Sequence, residues 1–344
     1  MEKLKFAILG CGFWSQFQLG AWTEIPDVEC VALYNRTLAK AQALATRFGV
    51  PKVYDNAEKL FKNETLDFVD IITDVDTHAQ FVEMAVKHGV KNIICQKPMA
   101  PDLATAKKMV DLCNQNGVKL YIHENYRWQK PVRRFKEIME SGVIGKPFKA
   151  RVSFLSGYPV FDNQPFLKQL DHFIITDMGS HVLDICRYLF GEVESLWCQT
   201  QRVNPTIMGE DVAAAFLKMK SGIPLYTEMT YASILEHDSF STVWILVEGE
   251  TGSVSLCPNF EIKTSTRNGT ISEIVTFPSY DWADPDYIVN HASGIDINQN
   301  ILNDMLLRGK AENTGADNLE TVRLVWACYE SAATSKQIVM SNFS

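Results

Sequence analysis

The sequence predicts two domains of different class, an α/β domain over residues 1–124 and an α+β domain over residues 125–344. Three observations predict this. In the first third, short apolar runs rich in Val and Ile alternate with longer amphipathic segments, the pattern of a parallel sheet covered on both faces by helices. Beyond about residue 147, strand-like runs succeed one another with turns between them, which argues an antiparallel sheet. A length of 344 residues also exceeds what a single hydrophobic core usually organises.

Taken in order, residues 4–9, 29–34, 68–73, 91–95 and 118–122 read as strands, being brief, apolar and β-branched. Between them the helix pattern occupies 15–24, 38–48, 77–88 and 103–116, and Gly49, Gly89 and Gly117 supply helix stop signals. A linking helix at 133–140 ends near Gly142. Strands follow at 148–155, 193–202, 212–219, 224–232, 242–248 and 253–256, with a helix at 180–190 after the first. Helices at 294–307 and 318–334 finish the chain.

Composition narrows the function. The chain is 46% hydrophobic and carries 33 Lys+Arg against 41 Asp+Glu, a formal charge of −8, so no basic field draws in nucleic acid or anionic lipid. The short apolar run before Gly10 is too brief for a signal-peptide core or a membrane span, and a cytoplasmic protein is expected. Eight scattered cysteines without a C-x-x-C pair, and seven histidines without a zinc pattern, predict reduced thiols and no metal.

The segment Gly10-Cys11-Gly12 lies between the first strand and the first helix. Glycines there permit a tight turn and close approach of a pyrophosphate to helix N-terminal amides, as in a Rossmann dinucleotide site. Gly10, Gly12, Phe13 and Trp14 are the expected contacts of this loop, although the sixth fingerprint position is Ser15. The second strand ends at Asn35-Arg36 with no carboxylate for an adenosine ribose. Asn35 can bond a ribose hydroxyl and Arg36 can pair with a 2′-phosphate, so the cofactor is NAD or NADP, with NADP slightly favoured.

Lys97 follows a strand and precedes Pro98, at the sheet edge where open α/β folds bind ligands, and can stabilise a developing alkoxide. Asp177 and His181 are four residues apart, hence on one helix face, and suit a carboxylate and a general base converging on one hydroxyl. By spacing alone, a helix-capping aspartate and a buried structural histidine is the more economical reading of that pair. Asp184 reads as structural. The stretches 123–129 and 157–166 mix aromatic and hydrogen-bonding groups, as carbohydrate sites do, and Tyr126, Trp128, Asp162 and His172 are the candidate substrate contacts.

With these residues in hand, the chain resembles the glucose-fructose oxidoreductase / inositol dehydrogenase (Gfo/Idh/MocA) family almost end to end. The resemblance rests on Gly10-Cys11-Gly12, on Thr73 with His78 five residues later, and on Gln96-Lys97-Pro98 where Glu-Lys-Pro is usual. It rests further on Gly142-Val143-Ile144-Gly145, and most on Asp177, Gly179, His181 and Asp184, which match the pattern D-x-G-x-H-x-x-D. It implies that Lys97, Asp177 and His181 are the catalytic trio and also face the substrate, and that Thr73, Asp74, His78, Gln96, Lys97 and Asn125 join the cofactor contacts. It implies an open, mostly antiparallel second sheet that builds a homodimer or homotetramer. The implied reaction is NAD(P)-dependent oxidation of a hydroxyl of a sugar, polyol or glycoside, at its narrowest a branched pentose at the anomeric carbon. Redox-assisted glycoside cleavage with tightly held NAD, or a non-catalytic sugar- or nucleotide-sensing regulator, are the alternatives on the same fold. Gln96, Asp74 in place of proline and Val75 in place of asparagine depart from the family pattern near the expected nicotinamide.

Overall fold

The structure is a computed structural model that describes residues 3–236 and 243–343. Two compact units divide the chain. The first holds Met1–Asn125 together with Ser279–Asp284 and His291–Val322, and the second holds Tyr126–Pro278, Pro285–Asn290 and Arg323–Ser344.

In the first unit β1 (Leu4–Leu9), α1 (Ser15–Thr23), β2 (Val28–Tyr34), α2 (Leu38–Phe48), β3 (Lys52–Tyr54), α3 (Ala57–Asn63), β4 (Phe68–Ile71), α4 (His78–Lys87), β5 (Asn92–Gln96), α5 (Leu103–Gln115) and β6 (Lys119–His123) follow in turn. The strands pair in parallel in the order β3-β2-β1-β4-β5-β6, the doubly wound arrangement with a topological switch beside β1. α2 stops at Gly49, whose φ of 72° is left-handed. β3 and α3 are additions to the expected set. β3 has three residues, none of them buried, so no apolar run marks it, and α3 is announced only by Asn56, which accepts from Lys59 N–H at 2.9 Å.

The sequence assigns everything after residue 124 to the second domain, whereas 279–284 and 291–322 fold with the first unit. The reason is packing on α1. A Cβ on Gly20 would lie 2.5 Å from the Trp282 ring, so α1 accepts that indole only because position 20 is glycine. Asn298 is bonded to Gln18 (3.3 Å) and His123 (3.2 Å). The same network reaches Asp70, fully buried on β4, which accepts from Gln18 Nε2 and Trp22 Nε1 at 2.8 Å each. Burial pushes the Asp70 carboxyl up to about 6.

The second unit contains α6 (Lys130–Glu140), β7 (Pro147–Leu155), α7 (Val160–Asn163), a π-helical turn at Ile175–Gly179, α8 (Ser180–Phe190), β8 (Val193–Gln201), β9 (Val212–Met219), β10 (Pro224–Thr230), β11 (Val243–Gly249), β12 (Gly252–Leu256), β13 (Glu261–Thr266) and β14 (Gly269–Ile274). The expected start of β11 at Thr242 lies outside the described residues. α9 (Ile288–Met305), α10 (Gly315–Thr334) and β15 (Ile338–Val339) complete the chain. The nine strands form one sheet in the order β14-β13-β12-β11-β7-β10-β9-β8-β15, antiparallel except for β7 with β10. Alternation sends Ala150, Val152, Phe154, Ala213, Ala215, Leu217, Leu225 and Met229 into the core, where α8 packs on β7 and β10. On the opposite face, register aligns Trp197 with Phe216 and Phe216 with Tyr226, all three exposed. No helix among the described residues is long and apolar enough to cross a membrane.

Candidate functional site

The glycine loop that leaves β1 contains two glycines held for different reasons. Gly10 has φ +103°, and a Cβ there would lie 2.4 Å from the Ile72 carbonyl oxygen, so the turn is pressed against the end of β4 and admits no side chain. Gly12 has nothing within 4 Å of the position its Cβ would take. The protein itself therefore makes no demand for glycine there, and a methyl group would fill only the open space over the loop. α1 begins directly after, with no acidic residue in its first turn and no side-chain cap, so its terminal amides suit an anion. Phe13 is 56% exposed, and Trp14 packs edge-on against the His291 ring.

Asn35 accepts from Cys11 N–H at 3.0 Å on its Oδ1 and donates from its Nδ2 to the Thr37 carbonyl at 2.9 Å, so it braces the glycine loop from the end of β2 and retains one amide hydrogen for a ribose. Arg36 is exposed.

Thr73 and Asp74 follow β4, where Thr77 Oγ1 bonds Thr73 Oγ1 (2.8 Å) and the Asp74 carbonyl (2.7 Å). His78 is fully engaged with backbone. Its Nε2 lies 3.0 Å from the Thr73 carbonyl, and its Nδ1 lies 3.1 and 3.2 Å from those of Pro98 and Met99. The ring ties the loop after β4 to the loop carrying Lys97, which replaces the cofactor contact expected of it, and burial holds its pKa below the usual histidine value. Gln96 ends β5 with its Nε2 buried and without a hydrogen-bond acceptor among the described residues. Lys97 follows, half-buried, and joins Pro98 through a cis peptide bond. Asn125 is buried and donates from Nδ2 to Ser293 Oγ at 2.8 Å.

In the second unit Asp177 lies within the π-helical turn and His181 in the first turn of α8. At the start of this turn the Glu210 carboxylate accepts from Phe173 N–H at 3.2 Å, Ile175 N–H at 3.4 Å and Tyr329 O–H at 2.7 Å. A Cβ on Gly179 would meet Ile175 Cγ2 at 2.8 Å and Met229 Sδ at 3.1 Å, so glycine lets the π turn press onto β10. Tyr231 O–H points to Asp177 Oδ2 at 3.4 Å, and burial raises that phenol's pKa. The His181 ring stacks on Tyr126 with centroids 3.7 Å apart. Asp184, as expected, is structural, because Arg127 donates to both of its oxygens at 2.7 and 2.5 Å in a buried pair.

The remaining candidate substrate contacts have different surroundings. Trp128 is buried beneath the Arg133 guanidinium, Asp162 is exposed on α7, and His172 lies edge-on to Trp326 and Tyr329. The stretch 157–166 instead contributes Tyr158, whose hydroxyl accepts from Asn163 Nδ2 at 2.7 Å and meets the Tyr287 hydroxyl. Tyr231 and Tyr287 were not foreseen, since neither lies in a local motif. Among the described residues, no group of three or more His, Cys, Asp or Glu could hold a metal ion.

Comparison with known proteins matches this geometry to a family. Residues 4–124 match the model of the GFO/IDH/MocA oxidoreductase family, NAD-binding Rossmann fold, and residues 132–255 match the GFO/IDH/MocA C-terminal domain. The chain is 38% identical over 338 residues to a D-apiose dehydrogenase of Rhizobium rhizogenes, with 98% of each chain covered. It is 37% identical to a D-apiose dehydrogenase of Paraburkholderia graminis, covering 99% of this chain and 91% of that one. An oxidoreductase from Agrobacterium radiobacter, solved in complex with NAD+, L-tartaric acid and magnesium, superimposes with a TM-score of 0.95 at 37% identity, covering 98% and 99% of the two chains.

Proposed function

The chain belongs to the GFO/IDH/MocA oxidoreductase family, and from that premise we propose that Lys97, Asp177 and His181 carry out the oxidation of a sugar hydroxyl. It is an NAD-dependent sugar dehydrogenase. The observation that supports the cofactor's place is the contrast between the two loop glycines, because open space over position 12 at the helix N-terminus leaves room for a pyrophosphate to approach the backbone. The orphaned Gln96 Nε2 beside Lys97 is a second donor suited to a bound ligand's oxygen.

NAD, when bound, supplies the hydride acceptor. His181 takes the hydroxyl proton on an imidazole nitrogen, Lys97 Nζ donates to the substrate oxygen and favours its developing negative charge, and the Asp177 carboxylate orients the substrate or the imidazole. D-apiose is the first substrate proposed, on the strength of two relatives of that name that match along the whole chain, with its anomeric hydroxyl oxidised to a lactone. Exposed Arg36 gives the site a cation for a 2′-phosphate, so NADP is accepted alongside NAD. The exposed row Trp197, Phe216 and Tyr226 gives the nine-stranded sheet an apolar face through which two or four copies associate.

A screen of D-apiose, other aldoses, inositols and glycosides against both cofactors, read by NAD(P)H absorbance, tests the activity. Lys97→Ala and His181→Ala should each lower kcat by roughly 100-fold or more with cofactor binding retained. Near-normal turnover in both variants would defeat the assignment. Product formation without net NADH release would favour redox-assisted glycoside cleavage instead.

A further inference from the structure

The geometry points to Tyr126 as a positioning residue for His181, clamped by the Arg127–Asp184 ion pair; the inference rests on His181 being the base proposed above. The sequence offers Tyr126 as a candidate substrate contact. The structure gives its ring another task. The phenol and imidazole rings lie 3.7 Å apart at an interplanar angle of 14°, with only 4% of Tyr126 and 3% of His181 exposed.

An imidazole attached through a broad terminal torsion can swing its two nitrogens through many orientations. A flat ring at stacking distance removes most of them, since rotation about that torsion drives a ring edge into the neighbour. What remains is one plane, with the nitrogens at its rim. The π face presented by the phenol is also its negative face, turned toward the ring that becomes cationic on taking a proton.

The stack is held by the next residue along the chain. Arg127 follows Tyr126, and Asp184 lies three residues beyond His181 on α8, so the Tyr126–His181 stack and the Arg127–Asp184 pair are successive rungs between one short segment and one helix face. Both members of the pair are buried, and the guanidinium grips both carboxylate oxygens, a fork with little angular freedom. Sliding the segment along α8 would break that pair within the protein interior. The third residue of the segment, Trp128, is covered by Arg133 at 4.2 Å.

The experiment uses the intact chain with NAD and D-apiose, or the panel sugar turned over fastest if D-apiose is not oxidised. Tyr126→Phe keeps the stack and removes the hydroxyl, and should retain a kcat several-fold above that of Tyr126→Leu. Tyr126→Leu removes the flat ring, and should lower kcat about tenfold or more while the KM values stay within about threefold. Should Tyr126→Leu not fold, Tyr126→Met preserves side-chain volume and carries the same expectation. A Tyr126→Phe enzyme with its sugar KM raised tenfold would make the residue a substrate contact and overturn the inference. So would unchanged kcat in the Leu or Met variant while His181→Ala is inactive. Full turnover by His181→Ala would remove the base assignment itself, a distinct failure.

Discussion

Asp70→Asn isolates a charge that the first unit keeps without a cationic partner among its described bonds. The carboxyl accepts from Gln18 and Trp22 on one oxygen, while Oδ1 has no donor among the described residues. An asparagine can preserve the two accepted bonds through its own oxygen. Burial moves the group from 3.8 to about 6, and at 1.36 kcal/mol per pKa unit this corresponds to about 3 kcal/mol of destabilisation once the group is ionised in both states. Because the folded pKa is raised, the folded form binds the proton more tightly. The stability this confers is fully present below pH 3.8 and is lost as pH rises through about 6. Linkage gives an ionisation cost of about 1.6 kcal/mol at pH 5 and about 3 at pH 8. Asparagine escapes both, so its advantage over aspartate should widen by about 1.4 kcal/mol between those pH values, whatever constant term the altered hydrogen bonds add. His123 and His291, each pushed down to about 4 by burial, tilt stability the opposite way, losing it as pH falls from 6.5 toward 4, but they are shared by both proteins and cancel in the difference. Urea unfolding of the two proteins at pH 5 and pH 8 measures the quantity directly. A difference that stays constant across the two pH values would refute the reasoning, since it would mean Asp70 titrates alike folded and unfolded.

The two loop glycines should part company under the same substitution. Gly10→Ala is expected to lower stability by about 2 kcal/mol or more, from left-handed strain and the Ile72 carbonyl, whereas Gly12→Ala should leave the melting temperature nearly unchanged and raise the NAD KM about tenfold. Equal thermal losses in both would remove the argument for a cofactor over position 12. Arg36→Ala should lower kcat/KM for NADP about tenfold with little change for NAD, and an unaltered ratio of the two would show that Arg36 does not read the 2′-phosphate. Phe216→Asp places a charge in the middle of the exposed aromatic row, and if copies associate through that row as proposed, light scattering should find a lower mass than for the unaltered chain. An unchanged mass would move the association to another surface.

Elements with a strong local period were the legible part of the fold. α2, α8 and β9 have the expected bounds, because a stop glycine follows each helix and β9 alternates cleanly between the two faces of its sheet. β13 and β14 were not anticipated. Their residues, Glu-Ile-Lys-Thr-Ser-Thr and Gly-Thr-Ile-Ser-Glu-Ile, bury little, and what holds them is ladder pairing to each other and to β12, a contact that no window of single-chain hydropathy contains. The return of 279–284 and 291–322 to the first unit was hidden for a related reason. It depends on Trp282 meeting Gly20 and on Asn298 meeting Gln18 and His123, across more than 170 residues of chain.

At the candidate site, spacing pointed to loops and helices but could not show what several side chains within them bond to. Asn35 and His78 occupy motif positions beside the expected cofactor, yet most of their polar atoms are committed to the backbone of the glycine loop and of the Lys97 loop. A motif records which residues a site needs without distinguishing those that face a ligand from those that hold the facing residues still. Asp177 illustrates the converse. A separation of four residues reads the same in an α-helix and across a π turn, so the sequence could not show that Glu210, 33 positions downstream, meets the Phe173 and Ile175 amides or that Tyr231 O–H reaches Asp177. What decides between a structural and a chemical role for such a residue is whether another group already meets the backbone's demand, and that is a property of packing.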